Sequence, residues 1–149
     1  MVADFAPRPR LRLGLRGPSL FISTYEELER FCERASSCPV LAVDTEFLRE
    51  RTYRPKLCLI QLATSADDIV AVDPIAITDL TPIARLFKDP SIVKVIHACS
   101  QDLEVIDGAM GCVPTPMFDT QLAAAFLGHR MQLGYGALVE SYTGVHLAK

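Results

Sequence analysis

Two acids, Asp44 and Glu46, stand two positions apart where the apolar run VLAV (residues 40–43) gives way to DTE. On a strand, side chains two apart share a face, so both carboxylates point the same way. Like charges at close range repel, and one takes up a proton unless a cation holds them. A divalent ion relieves that repulsion, and oxygen-only ligands select hard cations such as Mg²⁺ or Mn²⁺. The plainer alternative is an acid that caps a turn at a strand end. A third acid, Asp102, lies five positions after His97, in what reads as the first turn of a helix following the strand IVKVIH, residues 92–97. If that strand runs parallel beside the first, both carboxyl ends share one sheet edge, the usual place for a site in an open α/β sheet. The three carboxylates are then expected to converge on one cavity at that edge. The competing account of Asp102 is that an acid in a first helical turn favours the helix dipole.

The other polar candidates carry less. His97 ends a strand inside an apolar run, and a satisfied core histidine is the favoured reading over a catalytic one. Gln61, in mid-strand, reads as structural, since a buried amide must find partners. Asp73 and Asp119 suit turns and caps, and neither His129 nor His146 has a partner visible in the sequence. Arg49, Arg51, Arg54 and Lys56 follow the acidic pair and suit either phosphate contacts or a solvated loop. The chain contains neither a glycine-rich phosphate loop nor a G-x-S-x-G elbow, so nothing points to a nucleotide cofactor or a serine hydrolase.

These residues need a scaffold, and spacing predicts one. Thr24 and Glu27 form a capping-box pair ahead of Leu28, Phe31, Cys32 and Ala35 at helical intervals, with Pro39 as the stop. VLAVD (40–44) reads as a strand buried on both faces, followed by LCLIQLAT (57–64) and IVAVD (69–73). The connections between these three leave no room for a helical crossover, so they form an antiparallel meander. A helix over residues 79–88 then allows the strand at 92–97 to return parallel to the first. Ser100 and Asp119 are expected to cap two further helices, with Gly128 closing the second. The remainder is helical but weakly patterned. The whole is a mixed α/β sheet flanked by helices.

With 149 residues, half of them hydrophobic, the chain suits one domain with a sizeable core. A net charge of −3 is the wrong sign for a protein that lives on phosphate contacts, so any such role belongs to a local site. The five cysteines include no CxxC pair and read as reduced thiols in a cytoplasmic protein's core. No run is long enough for a membrane helix. Residues 1–20, with Arg8, Arg10, Arg12 and Arg16, read as a flexible basic tail ahead of a domain over 21–149.

The motifs together resemble the ribonuclease D family. VLAVDTEFLRERTYRPKLCLIQLAT is similar to the family's first exonuclease motif and its surroundings, IVKVIHACSQDLEVI to the second, and VPTPMFDTQLAAAFLG and LVESYTGVHLAK to the segments that follow. The D-x-E pair is weak alone, but the series is highly specific and runs from about Phe21 to the end. The resemblance implies a ribonuclease H-like fold of the DEDD superfamily: three antiparallel strands, then parallel ones. It implies removal of nucleotides from RNA 3′ ends, tRNA precursors among them, with two divalent ions (Mg²⁺ or Mn²⁺) about 3.5–4 Å apart. Asp44 and Glu46 would be metal ligands and catalytic residues, Asp44 bridging both ions, with Asp102 the third acid, acting partly through water. Thr45, Phe47, Arg49, Arg51 and His97 are the implied nucleic-acid contacts.

The sequence departs from the family in two places. The family's third motif, a Tyr-x-x-x-Asp that orients the attacking water and supplies a fourth carboxylate, is absent; Tyr25 has Glu29 at that offset, inside the wrong helix. The exonuclease domain is therefore expected to be incomplete at its carboxyl end, and the chain by itself to be nearly inactive, to bind metal weakly and to self-associate. Gln101 stands where the family commonly has an acid. Two alternatives stay open: a nuclease-inactive nucleic-acid-binding module of the same fold, and a DNA-directed 3′→5′ exonuclease.

Overall fold

The computed structural model describes residues 20–49 and 55–147. Six strands form one sheet in the order β1-β4-β3-β2-β5-β6. The elements are β1 (Leu20–Ile22), α1 (Tyr25–Ala35), β2 (Val40–Leu48), β3 (Lys56–Ser65), β4 (Asp68–Val72), α2 (Thr81–Lys88), β5 (Val93–Ile96), α3 (Ser100–Met110), β6 (Met117–Asp119), α4 (Thr120–Phe126) and α5 (Tyr135–Thr143). The expected meander is present: β2 and β3 pair antiparallel, as do β3 and β4, while β5 lies parallel to β2. Two short strands escaped the sequence reading, β1 parallel to β4 and β6 parallel to β5. Three residues each, they are too short to show a period. Of the tail expected over residues 1–20, all but Leu20 lies outside the described residues.

Helix α1 starts as its sequence dictates. The Thr24 hydroxyl oxygen accepts from the Glu27 backbone N–H, and the Glu27 carboxylate accepts from the Ser23 N–H and the Thr24 hydroxyl. Its buried residues are Leu28, Phe31, Cys32 and Ala35, and it ends at Ala35, four residues before Pro39. With Ile83, Leu86 and Phe87 of α2 and Val105 and Ile106 of α3 they cover one face of the sheet, packing on Leu41, Val43, Ile60, Leu62, Val70 and Val72. Burial pushes the Cys32 thiol up to about 12; none of the five cysteines is paired, and Cys32, Cys99 and Cys112 lie in the core while Cys38 and Cys58 are only half-buried. Among the described residues no helix is long and apolar enough to cross a membrane.

Strand β2 corrects two expectations. It is not buried on both faces: Leu41, Val43 and Thr45 point into the core while Ala42, Asp44 and Glu46 are exposed. Nor does it stop at Asp44, because it runs on to Leu48 and places both acids in mid-strand. The helix at 100–110 also begins differently from its sequence signal. Ser100 is the first helical residue and not the cap, and Cys99 at the cap position makes no side-chain capping bond.

Asp119 does that work from a distance. Its carboxylate accepts from the backbone N–H groups of Ala98 and Cys99 at 3.2 and 3.0 Å, and from those of Gln121 and Leu122 at 2.7 and 3.3 Å. One acid thus caps α4 and clamps the turn that launches α3. Ala98 in that turn has φ +57°, a left-handed conformation costing a non-glycine residue about 1–2 kcal/mol. Burial raises Asp119's proton affinity, but the bonds from Cys99, Gln121 and Ala98 outweigh it and hold the carboxyl below the usual range. The folded pKa is therefore depressed, so the stabilisation is complete above the ordinary carboxylate pKa and is lost as pH falls through the folded value. Asp119→Ala is expected to cost about 2–4 kcal/mol in urea unfolding at pH 7, with the gap to wild type closing in acid. A loss that is the same at pH 7 and pH 3 would contradict the clamp.

Candidate active site

Strand β2 is bonded to β3 along nearly its whole length but to β5 only over Val40–Ala42. Past Ala42 the two parallel strands part, β5 turning through Ala98 into α3. The crevice at such a switch point is where open α/β sheets place their sites. Asp44 is the next outward-facing residue on β2 after that split, and Glu46 follows it on the same face.

Asp44 lines a cavity of 690 Å³ whose walls include Ala42, Gln61, Val95, His97 and Tyr135. The antiparallel register sets Gln61 directly opposite Asp44, and its side-chain amide donates to Asp44 Oδ2 at 3.3 Å. Gln61, expected as a structural amide that must find a partner, finds it in Asp44; the period of β3 sets it on the face of Leu59 and Ala63. Thr45 points the other way. It is 7% exposed and its hydroxyl donates to Asp102 Oδ1 at 2.5 Å, with Asp102 itself 9% exposed. Asp102 thus sits on the core side of β2, tied to the residue between the two exposed acids, and is not among the residues that line the Asp44 cavity.

The three carboxylates share one electrostatic neighbourhood. Asp44's proton affinity is raised by burial first, then by the negative charge of Asp102, then by that of Glu46. The cavity walls desolvate the carboxyl even though its mouth is open to water. Among the described residues, none of the three acids takes part in an ion pair. Such a surplus of negative charge, presented on oxygen atoms alone, is the chemistry that a hard divalent cation satisfies. Among the described residues, however, no three His, Cys, Asp or Glu side chains gather tightly enough to hold an ion unaided. The expected convergence of all three acids on one cavity is therefore not seen: Asp44 lines it, whereas Glu46 and Asp102 do not. Mg²⁺ is commonly held by one or two carboxylates together with waters and substrate phosphate.

The remaining expected contacts are distributed unevenly. Phe47 packs half-buried against the core, on the face opposite Asp44. Arg49 is exposed and its guanidinium bonds the Glu104 carboxylate of α3 at 2.5 Å. Arg51 lies outside the described residues. His97 is half-buried on the wall of the Asp44 cavity, with Nδ1 2.8 Å from the Thr120 hydroxyl and the Tyr135 ring edge-on at 5.5 Å. Asp73 accepts from the Ile75 and Ala76 N–H groups and serves its turn, as expected.

The profile of a family described as 3′-5′ exonuclease matches residues 20–149. Ribonuclease D of Escherichia coli (strain K12) is 45% identical over 128 residues, covering 86% of this chain and 34% of that protein. Ribonuclease D of Gluconacetobacter diazotrophicus is 47% identical over 139 residues, covering 93% of this chain and 35% of that protein. The crystal structure of Escherichia coli RNase D, described as an exoribonuclease involved in structured RNA processing, superposes with a TM-score of 0.84 at 43% identity, covering 89% of this chain and 35% of that one. The chain therefore spans about a third of the length of the curated relatives it matches.

Proposed function

The chain belongs to the 3′-5′ exonuclease family, and from that premise we propose that it carries the carboxylate half of a metal-dependent site that hydrolyses phosphodiester bonds from RNA 3′ ends, tRNA precursors being the finer expectation. The observation that carries the reading is the placement of Asp44 and Glu46 on one exposed face of β2 beside the cavity, where burial first, then the charges of Asp102 and Glu46, raise the proton affinity of Asp44. When bound, Mg²⁺ or Mn²⁺ would supply an activated water and charge stabilisation at the leaving oxygen, with two ions in the mechanism that the family resemblance implies.

The protein's own residues would hold and orient. Asp44 and Glu46 present their oxygens from one strand face, so their spacing is fixed by the β2 backbone. Gln61 fixes the rotation of the Asp44 carboxyl through Oδ2. Thr45 locks Asp102 in place from the core side. Partners of this kind commonly change metal affinity or activity by about 10–100-fold when removed.

The test is a chimera in which residues 20–149 replace the matching segment of Escherichia coli ribonuclease D. With Mg²⁺ or Mn²⁺ it is expected to shorten a 5′-labelled RNA stepwise from the 3′ end, and chelation with EDTA is expected to stop it. A folded chimera that retains RNA without shortening it, under conditions where the parent enzyme trims, would favour the binding-module reading instead.

A further inference from the structure

The half of β2 that carries Asp44 and Glu46 lies beyond Ala42, where the backbone pairing with β5 ends. That half also bends. Between Glu46 and Phe47 its register against β3 slips, the mark of a bulge, which kinks a strand and re-aims its side chains. Across the crevice stands α3, bearing Asp102 in its first turn. The helix starts without a side-chain cap, next to the left-handed Ala98. Among the described residues, two side-chain bonds cross from this half of β2 and its end to α3. One is buried, from the Thr45 hydroxyl to Asp102. The other lies at the surface, where the Arg49 guanidinium meets the Glu104 carboxylate at 2.5 Å, the two side chains being 45% and 50% exposed.

We propose that Arg49 and Glu104 are positioning residues: their ion pair braces the acid-bearing half of β2 against α3 and so holds Asp44 and Glu46 at the spacing from Asp102 that a divalent cation needs. The proposal rests on the exonuclease reading and deepens it. Arg49 lies three positions beyond Glu46, and Glu104 two beyond Asp102, so the pair joins the two acid-bearing segments close to the acids themselves. The Thr45–Asp102 bond alone is a single point of attachment, about which α3 can pivot. A second point removes that freedom. A guanidinium suits the task, since it is always charged and presents its donors in a fixed fork. The brace is of limited strength, because an exposed pair contributes little and is screened by salt. It can therefore change the site only by a small factor, and the sign of the change is diagnostic. A positive charge that merely stands near a cation site repels the cation, so its removal tightens binding. Removal of a brace loosens binding.

The test compares Arg49→Gln, Glu104→Gln and the double variant with wild type, in two measurements. The first needs no metal. In the 149-residue chain, hydrogen exchange is followed at the Leu103 amide, which bonds the Cys99 carbonyl at 2.9 Å in the first turn of α3. Each single variant is expected to exchange about two- to fivefold faster, and the double variant no faster than either, because both substitutions remove one interaction. The second titrates Mn²⁺ into the chimera, with free Mn²⁺ read by electron paramagnetic resonance. Arg49→Gln is expected to bind Mn²⁺ about two- to fivefold more weakly although a positive charge has gone. Arg49→Lys, which keeps the charge, is expected to recover part of the loss. In about 1 M KCl, where the Debye length is about 3 Å, wild type and Arg49→Gln should converge. Unchanged exchange, additive effects in the double variant, a tighter Mn²⁺ site in Arg49→Gln, or no Mn²⁺ binding would each overturn the proposal. So would a direct phosphate contact by Arg49, seen as a raised KM for RNA with Mn²⁺ affinity unchanged. The exonuclease reading is judged separately by trimming in the chimera, so its failure and that of the brace are distinguishable.

Discussion

Replacing Asp44 with Asn in the chimera is expected to reduce 3′-end trimming by at least about 10³-fold while leaving the fold intact. Such a loss corresponds to roughly 4 kcal/mol of transition-state stabilisation at 1.36 kcal/mol per tenfold. The substitution keeps the size and the bond to Gln61 but removes the charge that Asp102 and Glu46 load with their own. Neither group in contact with it supplies a substitute charge, since Gln61 is neutral and Thr45 points into the core. Stability should move the opposite way. Asp44's folded pKa is raised, so its ionised form opposes folding, and that penalty appears as pH rises through the folded value. At neutral pH, without metal, Asp44→Asn should therefore melt higher. The gain should be no more than about 2–4 °C, because the group is partly screened by water. Below the ordinary carboxylate pKa the difference should vanish, and saturating Mg²⁺ should shrink or reverse it by binding the wild type alone. Trimming within tenfold of the parent chimera would remove Asp44 from the site, and a lower melting temperature at pH 7 would contradict the electrostatic account.

The second large effect is on the fold. Lys94, in the middle of β5, has no exposed surface, and its ammonium donates to the carbonyls of Asp89, Ile92 and Thr115 at 2.8, 2.7 and 2.6 Å. Those carbonyls belong to the loop entering β5 and the loop entering β6, so one side chain pins both. Desolvation lowers its pKa, while the Asp89 charge acts the other way. Lys94→Met preserves length and apolar contact but strands three carbonyls. Leaving buried groups unsatisfied costs about 1–3 kcal/mol each at most, and some will find water, so a total of about 3–5 kcal/mol is expected. Against a total stability of about 5–15 kcal/mol, the variant should be partly unfolded at 37 °C. Urea unfolding followed by circular dichroism measures the loss directly; a cost under about 1 kcal/mol would show that the carbonyls are satisfied without the lysine. Trimming by the chimera should fall only as far as the folded fraction does, since Lys94 is distant in role from the crevice.

The placement of Asp44 and Glu46 in the candidate site was legible in the sequence because it depends on a local period. The two-residue spacing of Asp44 and Glu46 sets them on one strand face whatever the rest of the chain does, and short connections force the meander. The capping box and the apolar spacing of α1 are equally local. The pattern of VLAVD did mislead on burial, because an apolar run looks the same whether a second layer covers its outer face or not.

What the tertiary structure decided concerns residues whose partners are far away along the chain. Thr45 meets Asp102 across 57 positions, Gln61 meets Asp44 across 17, and Asp119 reaches back 20 and 21 positions to the turn before α3. Nothing in the local pattern distinguishes Asp119 from an ordinary cap, or Lys94 from a surface lysine misplaced in an apolar strand. Hydrogen bonds act over about 3 Å in space with no regard for sequence distance, so the groups that carry charge were visible as residue types, while the groups that orient them became visible only when the sheet brought β2, β3, β5 and the start of α3 together.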